Sequence, residues 1–435
     1  MPEKSISRKK QLLTWLCRLI AGGVFVFSGF AKGIDPWGTF YMMEDYLAVW
    51  GWNIPDPVVL FGAFSLIIIE FLIGFCVLFG CFRRGTPVLM MAMMAFMLPL
   101  TLWIAIKNPV SDCGCFGEAL IISNTATFWK NVALTIMALW LVKFNRFIPS
   151  LIKPYFQWIQ LLGTVTFIFI ISFVGYSYQP LLDFRPYKCG TLLFSENDDS
   201  DNVPEFEFIY EKNGKRTSFS INDELPDEAD GWKFIERKEI LSSKQTANDD
   251  SEKNIRIWDD SGEVDITDEF MSSEGKRMFL MIPELKKVST ATTWQINSLN
   301  QWCHNNDIEM VAVVSGNQEE IDQWKDISLA EYPIYMADDT IIKEVVRGNP
   351  ALVYTENGNI IWKSTLKALN VADFLNNYEV KDAKLLGRDN IRILKNLSLI
   401  FLVFTACMIA ISYSPSIAKM MTNRAVSKSS LHKQD

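Results

Sequence analysis

The chain has 435 residues, is 49% hydrophobic with 30 Phe, 17 Met and 14 Trp, and carries a formal net charge of -8. That composition excludes an ordinary soluble enzyme and points to a membrane protein. The acidity is concentrated in residues 181–390, which hold 41 acidic and 23 basic side chains and leave +10 for the rest, a division that excludes nucleic acid as a partner. Eight widely scattered cysteines exclude a disulfide-stapled fold, and two histidines leave little for a zinc site.

Six apolar runs are each long enough to cross a bilayer as a helix: 12–31, 57–82, 87–106, 125–142, 155–178 and 393–412. The first has a basic start, but its apolar run is long and no small-residue cleavage site follows, so it reads as an uncleaved helix. Lys and Arg cluster before the first run, between the second and third, between the fourth and fifth, and after the sixth. All four clusters place those ends in the cytoplasm. The Asp35 connection, the Cys113 loop and the whole acidic segment 181–390 then lie outside, which in a bacterium is the periplasm, where disulfides persist.

The step Asp35-Pro36 reads as a turn and helix start, with Trp37 and Tyr41 as interfacial anchors. Glu70 stands within Ile67-Ile68-Ile69 and Phe71-Leu72-Ile73, so its carboxyl must hold a proton or find a partner. Lys32 could supply one from the outer end of the first helix, or Arg18 from the inner half. Both a structural pair and a role in proton transfer or in contacting a quinone headgroup stay open.

The segment Ser111-Asp112-Cys113-Gly114-Cys115-Phe116-Gly117-Glu118 sets two thiols one glycine apart. Gly114 supplies the backbone freedom to bring the sulfurs together, and so small a ring would be strained and easily reduced. A redox-active pair is the leading reading, with a structural disulfide and a metal site as alternatives. Asp112 and Glu118 count against a reactive thiolate, because negative charge raises a thiol pKa. Cys189, about ten residues beyond the fifth helix, could exchange with the pair as a relay or remain unpaired. Cys17, Cys76, Cys81 and Cys407 read as small hydrophobes. Cys303 and His304 are adjacent on an amphipathic helix and do not share a face.

Short strands are expected at 206–210, 217–221 and 255–258, with loops around Asn197 and Asp249. From Lys276 the pattern sharpens into a strand at 277–282, a helix at 292–305, a strand at 309–315, a helix at 319–326 and a strand at 333–336. A hairpin follows at 351–355 and 359–363 around Glu356-Asn357-Gly358, then a last helix at 371–377. This order, with Gly348-Asn349-Pro350 before the hairpin, resembles a thioredoxin-like domain over residues 276–380. The resemblance implies a cis proline at Pro350. Where that family carries Cys-X-X-Cys, this chain has Pro283-Glu284-Leu285-Lys286-Lys287-Val288-Ser289-Thr290, so a docking role is expected of the domain in place of thiol chemistry.

Residues 1–148 resemble the DoxX/MauE family of redox-associated membrane proteins. The resemblance rests on the segment from Phe27 to Pro36, on Glu70, and on the Asp-Cys-Gly-Cys-Phe-Gly loop. For MauE relatives it implies help with disulfide formation in exported proteins, and for DoxX relatives quinone-linked oxidation of sulfur compounds. The whole layout resembles a branch seen in Bacteroidetes. Four bundle helices are followed by a fifth span at 149–180, an acidic segment at 181–275, the thioredoxin-like domain, a sixth span at 391–413 and a basic tail at 414–435.

The expected protein is therefore a membrane α-helical bundle with an α/β thioredoxin-like soluble domain, held in a bacterial inner membrane. Cys113 and Cys115 would exchange disulfides with periplasmic protein thiols, Cys189 would assist, and Glu70 with Lys32 would serve a proton or a quinone. The rival is a non-enzymatic scaffold for an envelope complex, with a structural Cys113–Cys115 bond. A transporter is disfavoured, since no inverted repeat accompanies the intramembrane charges.

Overall fold

A computed structural model describes residues 2–108, 113–194, 205–212, 215–220, 233–240, 255–259, 262, 264–271, 275–369 and 382–413. Six of its helices are long and apolar enough to span a membrane. They are α1 (Pro2–Ile34, apolar from Arg8), α3 (Asp56–Phe79), α4 (Gly85–Lys107), α5 (Asn124–Lys143), α6 (Pro154–Ser177) and α11 (Asn390–Tyr413). The chain is a multi-pass membrane protein.

Between the first two spans lies α2 (Pro36–Val49), a helix of 14 residues that the sequence marked only by its start. Asp35 breaks α1 from α2 and caps the new helix, accepting from the Gly38 amide at 3.1 Å, with Pro36 in the first turn. Helix α1 packs on α3 backbone to backbone. A Cβ on Gly29 would stand 2.6 Å from Phe71 N, and one on Gly74 2.4 Å from Val26 N. Small residues at such crossings let dispersion and polar contacts act in lipid, where no hydrophobic force drives helices together. At the inner end Arg18 donates to the carbonyls of Val77 and Leu78 at 3.0 and 2.7 Å, a cation placed on the negative end of α3. Its expected alternative partner, Glu70, is out of that reach. Gln160 on α6 donates to Thr405 on α11 at 3.1 Å and ties the sixth span to the fifth.

The soluble part holds two sheets. Strands β1 (Glu205–Lys212), β2 (Lys215–Ser220) and β3 (Lys233–Ile240) form an antiparallel sheet in the order β2-β1-β3. The first two match expected strands, and β3 was not anticipated. The expected strand at 255–258 is reduced to single bridges from Trp258 to Asp265 and Met336, beside the short helix α7 (Thr267–Met271).

The second sheet comprises β4 (Lys276–Ile282), β5 (Glu309–Val314), β6 (Ile334–Met336), β7 (Ala351–Glu356) and β8 (Asn359–Thr365), in the order β6-β5-β4-β7-β8. Strands β4, β5 and β6 are parallel, while β7 and β8 form an antiparallel hairpin. Met278, Leu280 and Ile282 face α8 (Thr293–Asn305) and α9 (Gln318–Ser328). Phe279 and Met281 face α10 (Asp339–Val345), a helix missing from the sequence reading. This two-residue alternation makes a mixed sheet with a core on each face. The Asn349–Pro350 bond is cis. The helix expected at 371–377, the tail at 414–435 and the loops at Asn197 and Asp249 lie outside the described residues.

Candidate functional site

Three helices and the α10–β7 loop converge on the segment from Cys113 to Glu118. Gly114 has φ +58°, and a Cβ there would meet the Met42 sulfur of α2 at 2.0 Å, so the turn between the two thiols needs glycine on both counts. The sulfurs of Cys113 and Cys115 lie 2.8 Å apart. Tyr46 of α2 donates to the Cys113 carbonyl at 3.2 Å. Ser28 of α1 donates to the Cys115 carbonyl and also lies 2.5 Å from Glu70 Oε1. Lys32 then reaches Glu70 Oε2 at 2.7 Å. Lys32, Glu70 and Ser28 thus form a polar row from inside the bundle to the Cys115 carbonyl, with the one Ser28 hydroxyl proton shared between that carbonyl and Glu70.

Cys113 is buried and Cys115 half-buried. The hydrogen bond with Cys115 is the largest influence on the Cys113 thiol. Burial opposes it, while Thr127, the Cys115 backbone and Lys130 reinforce it, and the pKa falls to about 6. The interaction with Cys113, and then burial, push Cys115 well up. Of the two expected anionic neighbours, Asp112 lies outside the described residues, and Glu118 pairs with Arg347 at 3.1 Å. Among the described residues, Lys130, with its ammonium 4.2 Å from the centre of the Phe116 ring, favours the thiolate form of both cysteines, and Lys32 favours that of Cys115.

Arg347 comes from the soluble domain, three residues before the cis proline. It also pairs with Asp35 at 2.8 Å and donates to the Lys343 carbonyl at 2.6 Å. A cavity of about 160 Å³ lies between Asp35, Tyr41, Asp45, Gly114, Glu118 and Arg347. A second, of about 30 Å³, joins Ser28, Lys32, Glu70, Cys115 and Lys130 on the bundle side.

Cys189 is not brought to the pair. It is exposed beside Lys363 and Asp183, and packing around its thiol raises its pKa, so nearness in the chain does not build the expected relay. Cys303 is fully buried in the sheet core, where burial pushes it up to about 12, while His304 is exposed. Cys76 and Cys81 are buried and interact across the turn after α3. No three His, Cys, Asp or Glu residues gather as a metal site among the described residues.

Sequence reasoning missed Arg347, Lys130 and Tyr46. Lys130 had a usable signal, a lone cation two turns into an apolar helix. Arg347 and Tyr46 had none, because only tertiary packing brings them to the loop.

Residues 10–144, which span α1 to α5, match the family described as Methylamine utilisation protein MauE. Residues 204–244, the region of β1 to β3, match the family described as Domain of unknown function (DUF8463). No curated protein and no solved structure matches the chain.

Proposed function

We propose that this MauE-like membrane protein exchanges disulfides with exported protein thiols through Cys113 and Cys115. The observation that carries the reading is two thiols 2.8 Å apart on a loop held by α1, α2 and the soluble domain, beside a polar row into the bundle. A Cys113 thiol drawn down to about 6 stabilises the reduced pair, which makes its disulfide a stronger oxidant.

The step balances as follows. A partner thiolate attacks the Cys115 sulfur, the more open of the two, and the Cys113–Cys115 bond breaks. Cys113 leaves as a thiolate, since the thiol of lower pKa leaves faster. The partner's second thiol loses its proton and attacks the partner sulfur of the mixed disulfide. The partner departs oxidised by two electrons, and the pair is left reduced. The proton that Cys115 gains comes from the partner's second thiol, and Glu70 and Lys32, which line the cavity at Cys115, would be the nearby groups able to exchange it.

The cavity at Cys115 does not by itself enclose a quinone headgroup, and the expected headgroup contact at Glu70 and Lys32 is left without a step. The cavity's volume is about 30 Å³, against the roughly 150 Å³ of an engineered cavity that admits benzene. No step is therefore routed through a quinone.

The basic ends of α1, α4 and α6 favour a cytoplasmic inner face, which places the thiols and the soluble domain in the periplasm of a bacterial inner membrane. Three parallel strands, an antiparallel hairpin and a cis proline between them support a thioredoxin-like platform. Its Pro283 to Thr290 segment holds no thiol, so the platform docks and positions.

Trapping free thiols in intact membranes, before and after a mild reductant, tests the reading. The pair should reduce, and should reoxidise when the reductant is replaced by oxidised glutathione. Cys113→Ala should stop that cycle and leave Cys115 as a mixed disulfide with glutathione, the second glutathione departing as a thiol. A pair that stays oxidised under every condition sinks the reading and leaves the scaffold with a structural bond.

A further inference from the structure

Lys130 is a cation at the thiol loop that no described carboxylate answers. The two others are taken: Lys32 by Glu70 at 2.7 Å, and Arg347 by Asp35 at 2.8 Å and Glu118 at 3.1 Å. Lys130 instead holds its ammonium 4.2 Å from the Phe116 ring centre, directly after Cys115 in the chain. An aromatic face attracts a cation without neutralising it, so the charge is held at the ring with no carboxylate paired to it among the described residues. Lys130 also lines the small cavity shared by Cys115, Ser28 and Glu70.

We propose that Lys130 is a positioning residue for the thiol pair, its ammonium serving as counter-ion to the thiolate released at Cys113 when the disulfide opens. This rests on the exchange reading above. A thiolate appearing at a buried sulfur is costly unless a positive charge is already there. The alternative for a lysine near a membrane surface is an ammonium that reaches outward to water. Here the ammonium is turned onto the Phe116 ring and lines the cavity with Cys115, whose sulfur lies 2.8 Å from that of Cys113.

The charged and titratable groups around Cys113 come from every neighbouring element. Cys115 and Glu118 share its loop, Lys32 lies on α1, Tyr46 on α2 and Glu70 on α3, while Arg347 reaches in from the soluble domain. Glu70 is paired with Lys32 and Glu118 with Arg347, so among the described residues each of these carboxylates has a cation other than Lys130. Both thiols feel Lys130 in the direction of the thiolate.

The test measures iodoacetamide labelling of Cys113 against pH in the reduced full-length protein, mapped by mass spectrometry, for wild type, Lys130→Met and Lys130→Arg. Lys130→Met should move the labelling midpoint upward by about one pH unit or more. It should also shift the pair toward disulfide about tenfold in a glutathione buffer. Lys130→Arg, which keeps the charge, should stay near wild type. Lys130→Gln repeats the comparison if the Met variant folds poorly, as judged by its thermal transition. A midpoint unmoved in the Met or Gln variant overturns the proposal, and so does an Arg variant that shifts as far as Met. In either case the exchange reading stands as long as the wild-type pair cycles. A wild-type pair that never reduces defeats the exchange reading itself.

Discussion

Arg347 and Asp35 stand 312 residues apart in the chain and meet at 2.8 Å. One belongs to the loop before a cis proline in the soluble domain, the other to the break between α1 and α2. Both side chains are almost fully buried, at 4% and 9% exposure. The pair thus fixes the soluble domain to the bundle at the thiol loop, and the same guanidinium holds Glu118 of that loop. Gln179 reinforces the joint by exchanging two hydrogen bonds with the Arg347 backbone, at 2.7 and 3.0 Å.

Removing one member of such a buried pair leaves the other charge stranded. Arg347→Gln should therefore cost about 3–5 kcal/mol, read as a drop in the thermal transition of the full-length protein. Asp35→Asn added to it should recover part of the loss. The half-exposed pair between Lys287 and Asp56, at 2.8 Å, makes the control, since Lys287→Gln should cost under about 1 kcal/mol. Equal effects at the two pairs would show that Arg347 does not hold the joint.

The two thiols of the pair should label in sequence. Cys113 should react with a midpoint near its pKa of about 6, and Cys115 only at much higher pH. Site-resolved labelling from pH 5 to 10 checks the order. Labelling of Cys115 first would reverse the assignment of leaving and attacked sulfur.

Gly114→Ala should disrupt the loop twice over. A side chain at φ +58° costs about 1–2 kcal/mol, and the new methyl overlaps Met42, whose sulfur lies 2.0 Å away. Disulfide formation measured after reduction and air oxidation should slow. Met42→Ala in the same chain should relieve only the overlap, leaving the backbone cost. Unchanged reoxidation in Gly114→Ala would rule out a conformational need for glycine.

Acid should loosen the soluble domain through Asp183. Burial alone would raise its pKa, but Arg185 and Lys363 outweigh burial and hold it at about 2. Lys363 spends its three donors on Asp183 and on the carbonyls of Tyr187 and Val345. A folded pKa below the unfolded value of about 3.9 gives stability that is present above that value and lost as pH falls toward 2. The amount is about 2 kcal/mol. Denaturant unfolding from pH 5 down to 2 should show this loss, and Asp183→Asn should remove the pH dependence of that window along with the stability itself. A variant that keeps the wild-type acid slope would place the cause elsewhere.

The hydropathy pattern located all six spans, because an apolar run long enough for a bilayer has few other uses. The unbroken apolar run from Met278 to Ile282, buried on both faces of the sheet, and the Asn357-Gly358 turn likewise announced strands of the sheet. Helix α10 went unseen because seven residues are too few for a periodicity to register. The expected strand near Trp258 failed because a short apolar run takes strand form only where an edge is free to pair with it over its length. Here Trp258 forms only single bridges, to Met336 of the three-residue strand β6 and to Asp265.

At the candidate site, local chemistry was legible and pairing was not. Cys113, Gly114 and Cys115 declare two thiols and the glycine between them. Glu70 announces that it needs a partner, because hydrocarbon does not solvate a carboxylate. The choice of Lys32 over Arg18 was tertiary, decided by which end of α3 each side chain of α1 reaches. The partner of Glu118 was tertiary as well. It reads as an anionic neighbour of the thiols in the chain, yet folding hands it to Arg347 and brings Lys130 of another helix to Phe116 and the cavity at Cys115. Charge interaction falls with distance through space, so the composition determined which charges exist and the fold alone decided which of them meet.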